Sequence, residues 1–169
     1  MKFLGFGWGI GGVLILLLSA IYRLTPMVLA LENSSMHLLH WAALIFSIVY
    51  MAYAEGYKGF HLGFAPRVVV RAIYLHQNPR IVHMLLAPLF CMGYFYATRR
   101  RKMISIGLTL MIICFIIIAR MLPQPWRGIV DAGVVVGLTI GVASIIYFVF
   151  LAYSKPEAIQ ASAETPGDT

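Results

Sequence analysis

Residues 54–80 read AEGYKGFHLGFAPRVVVRAIYLHQNPR, and how this stretch is placed decides the fold. It carries Lys58, Arg67, Arg71 and Arg80, with His61 and His76, between long apolar runs. As a membrane span over 59–77 it would hold Arg67 and Arg71 near the bilayer centre, each costing ~2.5–3.5 kcal/mol. Its valines and isoleucine recover only ~0.3–0.6 kcal/mol apiece, and Pro66 interrupts it. A short interfacial helix over 66–77 fits better. Pro66 suits a first helical turn, and Asn78-Pro79 suits a stop. Arg67, Arg71 and Tyr74 then share a face at i, i+4, i+7 spacing, while Val68, Val69, Ala72, Ile73 and Leu75 cover most of the rest. Such a helix lies in the headgroup plane with its bases toward phosphate or water. Gly56, Gly59 and Gly63 read as punctuation on the way out of the preceding helix.

Working outward, 61% of the 169 residues are hydrophobic and 11% are charged. Soluble domains run at ~45–50% apolar and ~25% charged, so the solvent for this surplus is lipid. Five runs reach the ~20 apolar residues that a helix needs to cross a bilayer: 3–22, 36–54, 81–98, 103–121 and 129–153. The expectation is an all-α integral membrane protein, with five transmembrane helices and the interfacial helix between the second and third. Residues 1–154 form one polytopic domain, and the tail 155–169, lacking aromatics, is expected to be disordered. The first run exceeds a signal-peptide core and no Ala-x-Ala site follows it, so it reads as an uncleaved span. Asn33-Ser34-Ser35 is positioned to cap the second helix, and Pro123-Gln124-Pro125-Trp126 separates the last two.

Five crossings put the N-terminus, the 55–80 loop and the 120–128 loop on one face. The Arg99-Arg100-Arg101-Lys102 turn and the tail fall on the other. Seven Lys and Arg then stand against six, too even to orient the protein by the positive-inside rule. The dense Arg99–Lys102 cluster tips the expectation toward its own face being cytoplasmic, in a plasma (inner) membrane. On the first face Lys58, Arg67, Arg71, Arg80, Arg120 and Arg127 outnumber the acids Glu55 and Asp131. That surplus favours phosphate or carboxylate, which the planar arginine fork binds through two oxygens. Structural alternatives stand beside it: snorkelling to lipid phosphates, or an Arg127–Asp131 pair at i, i+4.

No cofactor is expected. A haem between His37 or His40 and His83 would have to reach ~25–30 Å across the bilayer. His61, His76 and His83 remain as acid–base candidates near the basic face, and no spacing marks a metal site. Cys91 and Cys114 read as buried apolar thiols. Gly133, Gly137 and Gly141, one turn apart, mark close helix packing, as do the glycines of GFGWGIGG, residues 5–12. No ionisable residue is expected deep in a span, which counts against a proton-coupled transporter. GxSxG, HExxH and Walker signatures are absent from the sequence.

The leading expectation is a non-catalytic accessory, assembly or scaffold subunit. Its partners would be the lipid bilayer with its anionic headgroups, and a membrane protein or a second copy; the net charge of +7 points to lipid before nucleic acid. The alternatives are a membrane enzyme acting on an anionic amphiphile at the same face, and a small oligomeric transporter.

Overall fold

The computed structural model describes residues 2–77, 83, 85–155, 159, 161 and 163. The described residues form helices and no strands. Helix α1 is Lys2–Leu29, and a 3-10 turn at Ala30–Asn33 ends it. Helix α2, Leu38–Met51, is followed directly by a π-helical segment, Ala52–Phe64, and by α3, Ala65–Gln77. A short α4, Ala87–Cys91, precedes α5, Arg99–Met121, and α6, Trp126–Ser154. Helix α2 opens at His37 rather than at Asn33-Ser34-Ser35. The His37 N–H donates to Nδ1 of His40 at 3.2 Å, closing the first turn.

Four of these helices are long and apolar enough to cross a membrane, which makes the chain an all-helical integral membrane protein. They are α1, the continuous 40-residue run of α2, the π segment and α3, then α5 and α6. The expected third span, 81–98, is not a long helix. Helix α4 has five residues, and the chain then turns through Gly93 at φ +87° and Tyr96 at φ 46°. Gly93 is the residue suited to that left-handed position, and it ends α4 by donating its N–H to the Phe90 carbonyl at 3.0 Å.

The expected interfacial helix at 66–77 corresponds to α3, but α3 continues the second span instead of starting anew. Val68, Val69, Arg71, Ala72 and Leu75 are all buried, so the face expected to present bases to headgroups is turned inward at Arg71. The helix does not stop at the glycines because a backbone break in hydrocarbon strands polar groups. It shifts register instead, and the Ala65 N–H reaches back five residues to the Phe60 carbonyl. A Cβ at Gly59 or Gly63 would lie within 3.5 Å of the carbonyl five residues earlier. Pro66 has no N–H to give, so the return to α-helical register falls where a bond is missing in any case.

Contacts between the helices fix their directions. At one end the Gln124 amide donates to the Met27 carbonyl at 3.3 Å, and the His40 ring meets Trp126 edge-on at 5.0 Å. At the other end Phe6 meets Tyr153 at 6.0 Å. Helix α1 is therefore antiparallel to α6, and α2 is parallel to it. Helix α2 and the π segment lie along α6, while α3 leans across to pack on α1, α4 and α6. Helix α5 runs back from the α4 turn to the 122–125 connector. The 30–37 and 122–126 connectors thus share an end, whereas an odd number of crossings had placed them apart. Residues 55–61 lie beside residues 137–144 of α6, whereas Gly128 lies against Leu31 at the connector end.

The core lies in the opposite half, where Ile10, Val13, Val68, Val69, Phe90 and Ile145 are closed from solvent. Gly9 and Gly12 form the notch in α1 that admits α4. A Cβ at Gly12 would collide with the Pro88 ring, and one at Gly9 would lie 2.8 Å from Cys91 Sγ, whereas Gly7 and Gly11 face open space. Cys91 is buried as expected of an apolar thiol, but Cys114 is exposed on α5. Beyond α6, Ile159 packs against the core and the Ala163 carbonyl accepts from Arg71, while residues 156–158, 160, 162 and 164–169 of the tail expected to be disordered lie outside the described residues.

Gly12→Ala is expected to destabilise the fold by roughly 1–3 kcal/mol through overpacking, while Gly11→Ala leaves stability unchanged or slightly raised. Thermal unfolding of both variants in detergent reads the difference. Single cysteines at 36 and 124 are expected to label from one side of the membrane, and cysteines at 98 and 155 from the other.

Candidate functional site

Two polar constellations stand out, one halfway along the helices and one in the core half. The first is the π segment. Gly56 touches Ile140 of α6, a Cβ at Gly137 would come 3.0 Å from Glu55 Oε2, and Phe60 lies against Gly141. His61 Nδ1 and the Ser144 hydroxyl share a hydrogen bond at 3.2 Å. Ile140 is the midpoint of α6, so Glu55 and Lys58 sit at the middle depth of the bundle, and His61 lies one to two turns further on, beside Ser144, Tyr147 and Phe148. This overturns the expectation that no ionisable residue lies deep in a span. Stopping the second helix at residue 54 had moved all three to its rim.

The wider π-helical turn gives this segment two faces. Toward α6, the Gly133–Gly137–Gly141 edge receives Ser47, Glu55 and Phe60 in succession. Oε2 of Glu55 is buried there and has no hydrogen-bond partner among the described residues. Away from α6, rings stack in a ladder, Phe46 on Tyr50 at 5.8 Å and Tyr53 on Tyr57 at 6.1 Å; Tyr57 stacks in turn at 5.8 Å on His61, whose ring returns to α6 against Tyr147 and Phe148. The Lys58 ammonium stands 5.0 Å over the Tyr53 ring, a cation–π contact. Tyr53, Tyr57 and Lys58 are exposed.

The second constellation centres on Arg71, whose side chain is closed from solvent. Its Nε donates to the Phe90 carbonyl at 2.7 Å, and its Nη2 donates to those of Phe95 and Tyr96 at 2.7 and 3.1 Å. Nη1 donates to the Ala163 carbonyl at 2.5 Å. The Phe90 ring lies 4.4 Å from the guanidinium carbon. One side chain thus ties a helix end to the turn after it, adding a second donor to the Phe90 carbonyl that already accepts from the Gly93 N–H. Arg71 is an internal pin joining α3, the α4 turn and the tail. The sequence carries a signal for this: Val68, Ala72 and Leu75, at i−3, i+1 and i+4, are all apolar.

The remaining expected site residues are dispersed. Arg67 is half-buried on α3, and Arg80 lies outside the described residues. Arg120 is exposed at the last turn of α5. Arg127 Nε lies 3.7 Å from Asp131 Oδ2, an ion pair too long for a hydrogen bond, and that buried oxygen has no hydrogen-bond partner among the described residues. His76 is half-buried in the last turn of α3, and His83 stacks at 5.2 Å on Phe90 and meets Tyr96 at 5.1 Å. No group of three His, Cys, Asp or Glu converges to hold a metal among the described residues.

Arg71→Met would take a donor from four carbonyls, of which Phe90 keeps the Gly93 N–H, at an expected loss on the order of 3 kcal/mol. Arg71→Lys keeps the charge but not the planar fork, and should fall between wild type and Arg71→Met in thermal unfolding. The chain matches no known family, no curated protein and no solved structure.

Proposed function

We propose that the chain is a non-catalytic subunit of an inner membrane, seated by a base-rich end in the anionic cytoplasmic leaflet and offering its flanks to membrane partners. One observation carries this reading, the distribution of charge along the bundle. Lys2, Arg67, Arg71, Arg99, Arg100, Arg101, Lys102 and Lys155 belong to the half that holds both helix termini Lys2 and Ser154. The other end has Arg23, Arg120 and Arg127. Four crossings therefore turn an even balance into a strong bias, and the positive-inside rule orients the base-rich end to the cytoplasm. Four crossings replace the expected five, and α3 is taken as part of the bundle.

The lipid-contacting surface accordingly moves from the 55–80 and 120–131 segments to Arg99, Arg100 and Lys102, which are exposed at the start of α5. Anionic headgroups near such bases contribute about 1 kcal/mol per residue. The enzyme reading needs Arg67, Arg127, Glu55, Asp131 and a histidine in one pocket, yet Arg67 and Arg127 belong to opposite halves. The transporter reading needs hydroxyls lining a path. Instead Ser19, Thr25, Thr109 and Thr139 donate to carbonyls of their own helices at 2.7–2.9 Å.

The test is retention of lipid by the purified protein. Phosphatidylglycerol is expected to be enriched several-fold over phosphatidylethanolamine in native mass spectra. Combined Arg99→Gln, Arg100→Gln and Lys102→Gln should abolish the enrichment. Equal retention of both lipids by the wild type, or an enrichment that survives the substitutions, would overturn the reading.

A further inference from the structure

We infer that the ring ladder carrying Lys58 is a docking face for a transmembrane helix that brings a carboxylate to the middle of the bilayer. Lys58 sits beside the midpoint of α6, so roughly 15 Å of hydrocarbon separates it from either headgroup layer. Its four-carbon stem is too short to snorkel that far. The side chain is exposed, and its ammonium is held over Tyr53 at 5.0 Å. A bare charge at that depth costs ~2.5–3.5 kcal/mol even on insertion scales, and intramembrane bases face partners or water-filled cavities rather than acyl chains.

The occupant follows from charge and shape. An ammonium at low dielectric calls for an anion. Glu55, the nearest acid in sequence, points its buried oxygen at α6 instead. The face around Lys58 is long and narrow. Phe46, Tyr50, Tyr53 and Tyr57 succeed one another at spacings of four, three and four, and each is about half exposed or more, at 69, 56, 55 and 47%. At ~1.5 Å per residue the row runs on the order of 17 Å along the helix axis, the footprint of a helix lying alongside rather than of a headgroup. The tyrosine hydroxyls add donors that a partner backbone or side chain satisfies, and such contacts are worth ~1–2 kcal/mol in model transmembrane peptides. Between its basic ends helix α5, equally exposed, presents apolar side chains and Cys114, while Ser105 and Thr109 already donate to the Met92 and Ser105 carbonyls, and lipid solvates it without a partner.

The test uses the full chain in phosphatidylcholine nanodiscs, where no anionic lipid competes. The probe is a leucine–alanine transmembrane peptide with one central glutamate, and a glutamine peptide serves as its control. The glutamate peptide is expected to associate about tenfold more tightly by energy transfer, and Lys58→Met should erase that preference while Lys58→Arg keeps it. A photo-crosslinker beside the glutamate should mark the wild-type fragment containing Tyr57, a readout that needs no variant. Equal binding of the two peptides, crosslinks mapping to α5, or a preference that survives Lys58→Met would overturn the inference. Efficient Tyr57→Cys homodimer disulfides without peptide would overturn it too, since a second copy would then cover the face. The outcome is independent of the headgroup reading, which rests on Arg99, Arg100 and Lys102 and on anionic lipid.

Discussion

Inside hydrocarbon a backbone cannot leave its N–H and C=O groups unpaired, and this bundle is shaped by what its second span does under that constraint. Residues 52–64 include three glycines and lead into a proline, a composition that ends helices in water. Here the helix goes on by changing from i−4 to i−5 bonding, and resumes its former register at Ala65. Everything else follows from that continuity. The second span becomes 40 residues long, crosses from one flank of α6 to α1, and delivers α3 into the core half. Were the helix to stop at residue 54, α3 would be free of the bundle and Arg71 would have no turn to hold.

The π segment and the Arg71 pin place ionisable residues at depth in contrasting ways. Arg71 is buried with its donors meeting carbonyls at the end of α4 and in the turn after it. The charge-assisted bonds to those acceptors offset the cost of burying its charge. Glu55 and Lys58 have no such settlement among the described residues. One buries an unbonded oxygen against a glycine, and the other stands exposed beside a ring. Where a fold leaves polar groups this way inside a membrane, its surroundings are part of its stability.

Much of the class was legible in the sequence. Composition alone demanded lipid, and the runs near 103–121 and 129–153 lie within the helices Arg99–Met121 and Trp126–Ser154. The path between the second and fourth runs was not legible, for two reasons. Hydropathy treats Arg67 and Arg71 as equally costly, because it cannot see that carbonyls twenty residues downstream will surround one of them. The 81–98 run is apolar enough to span, yet Pro88 and Gly93 let it turn back once the notch at Gly9 and Gly12 offers a seat. Because one misjudged crossing inverts every later loop, Lys58 and Arg127 were assigned a common face that the bundle does not have. The glycines at 133, 137 and 141 face α2 and the π segment, a choice of neighbour that spacing has no means to make.

The order in which these contacts become possible has a consequence for biogenesis. Helix α1 is made first, but the segment that fills its notch begins at Ala87, so α1 enters the bilayer with an open groove. Arg71 enters with the second span, well before Phe90, Phe95 and Tyr96 exist to bind it, and its last acceptor, Ala163, follows Tyr96 by a further 67 positions. Until then the guanidinium has to be sheltered by water or by the insertion machinery. The Arg71 site is therefore completed only after α6 has been made, when the Ala163 carbonyl reaches a cationic side chain threaded in with α3.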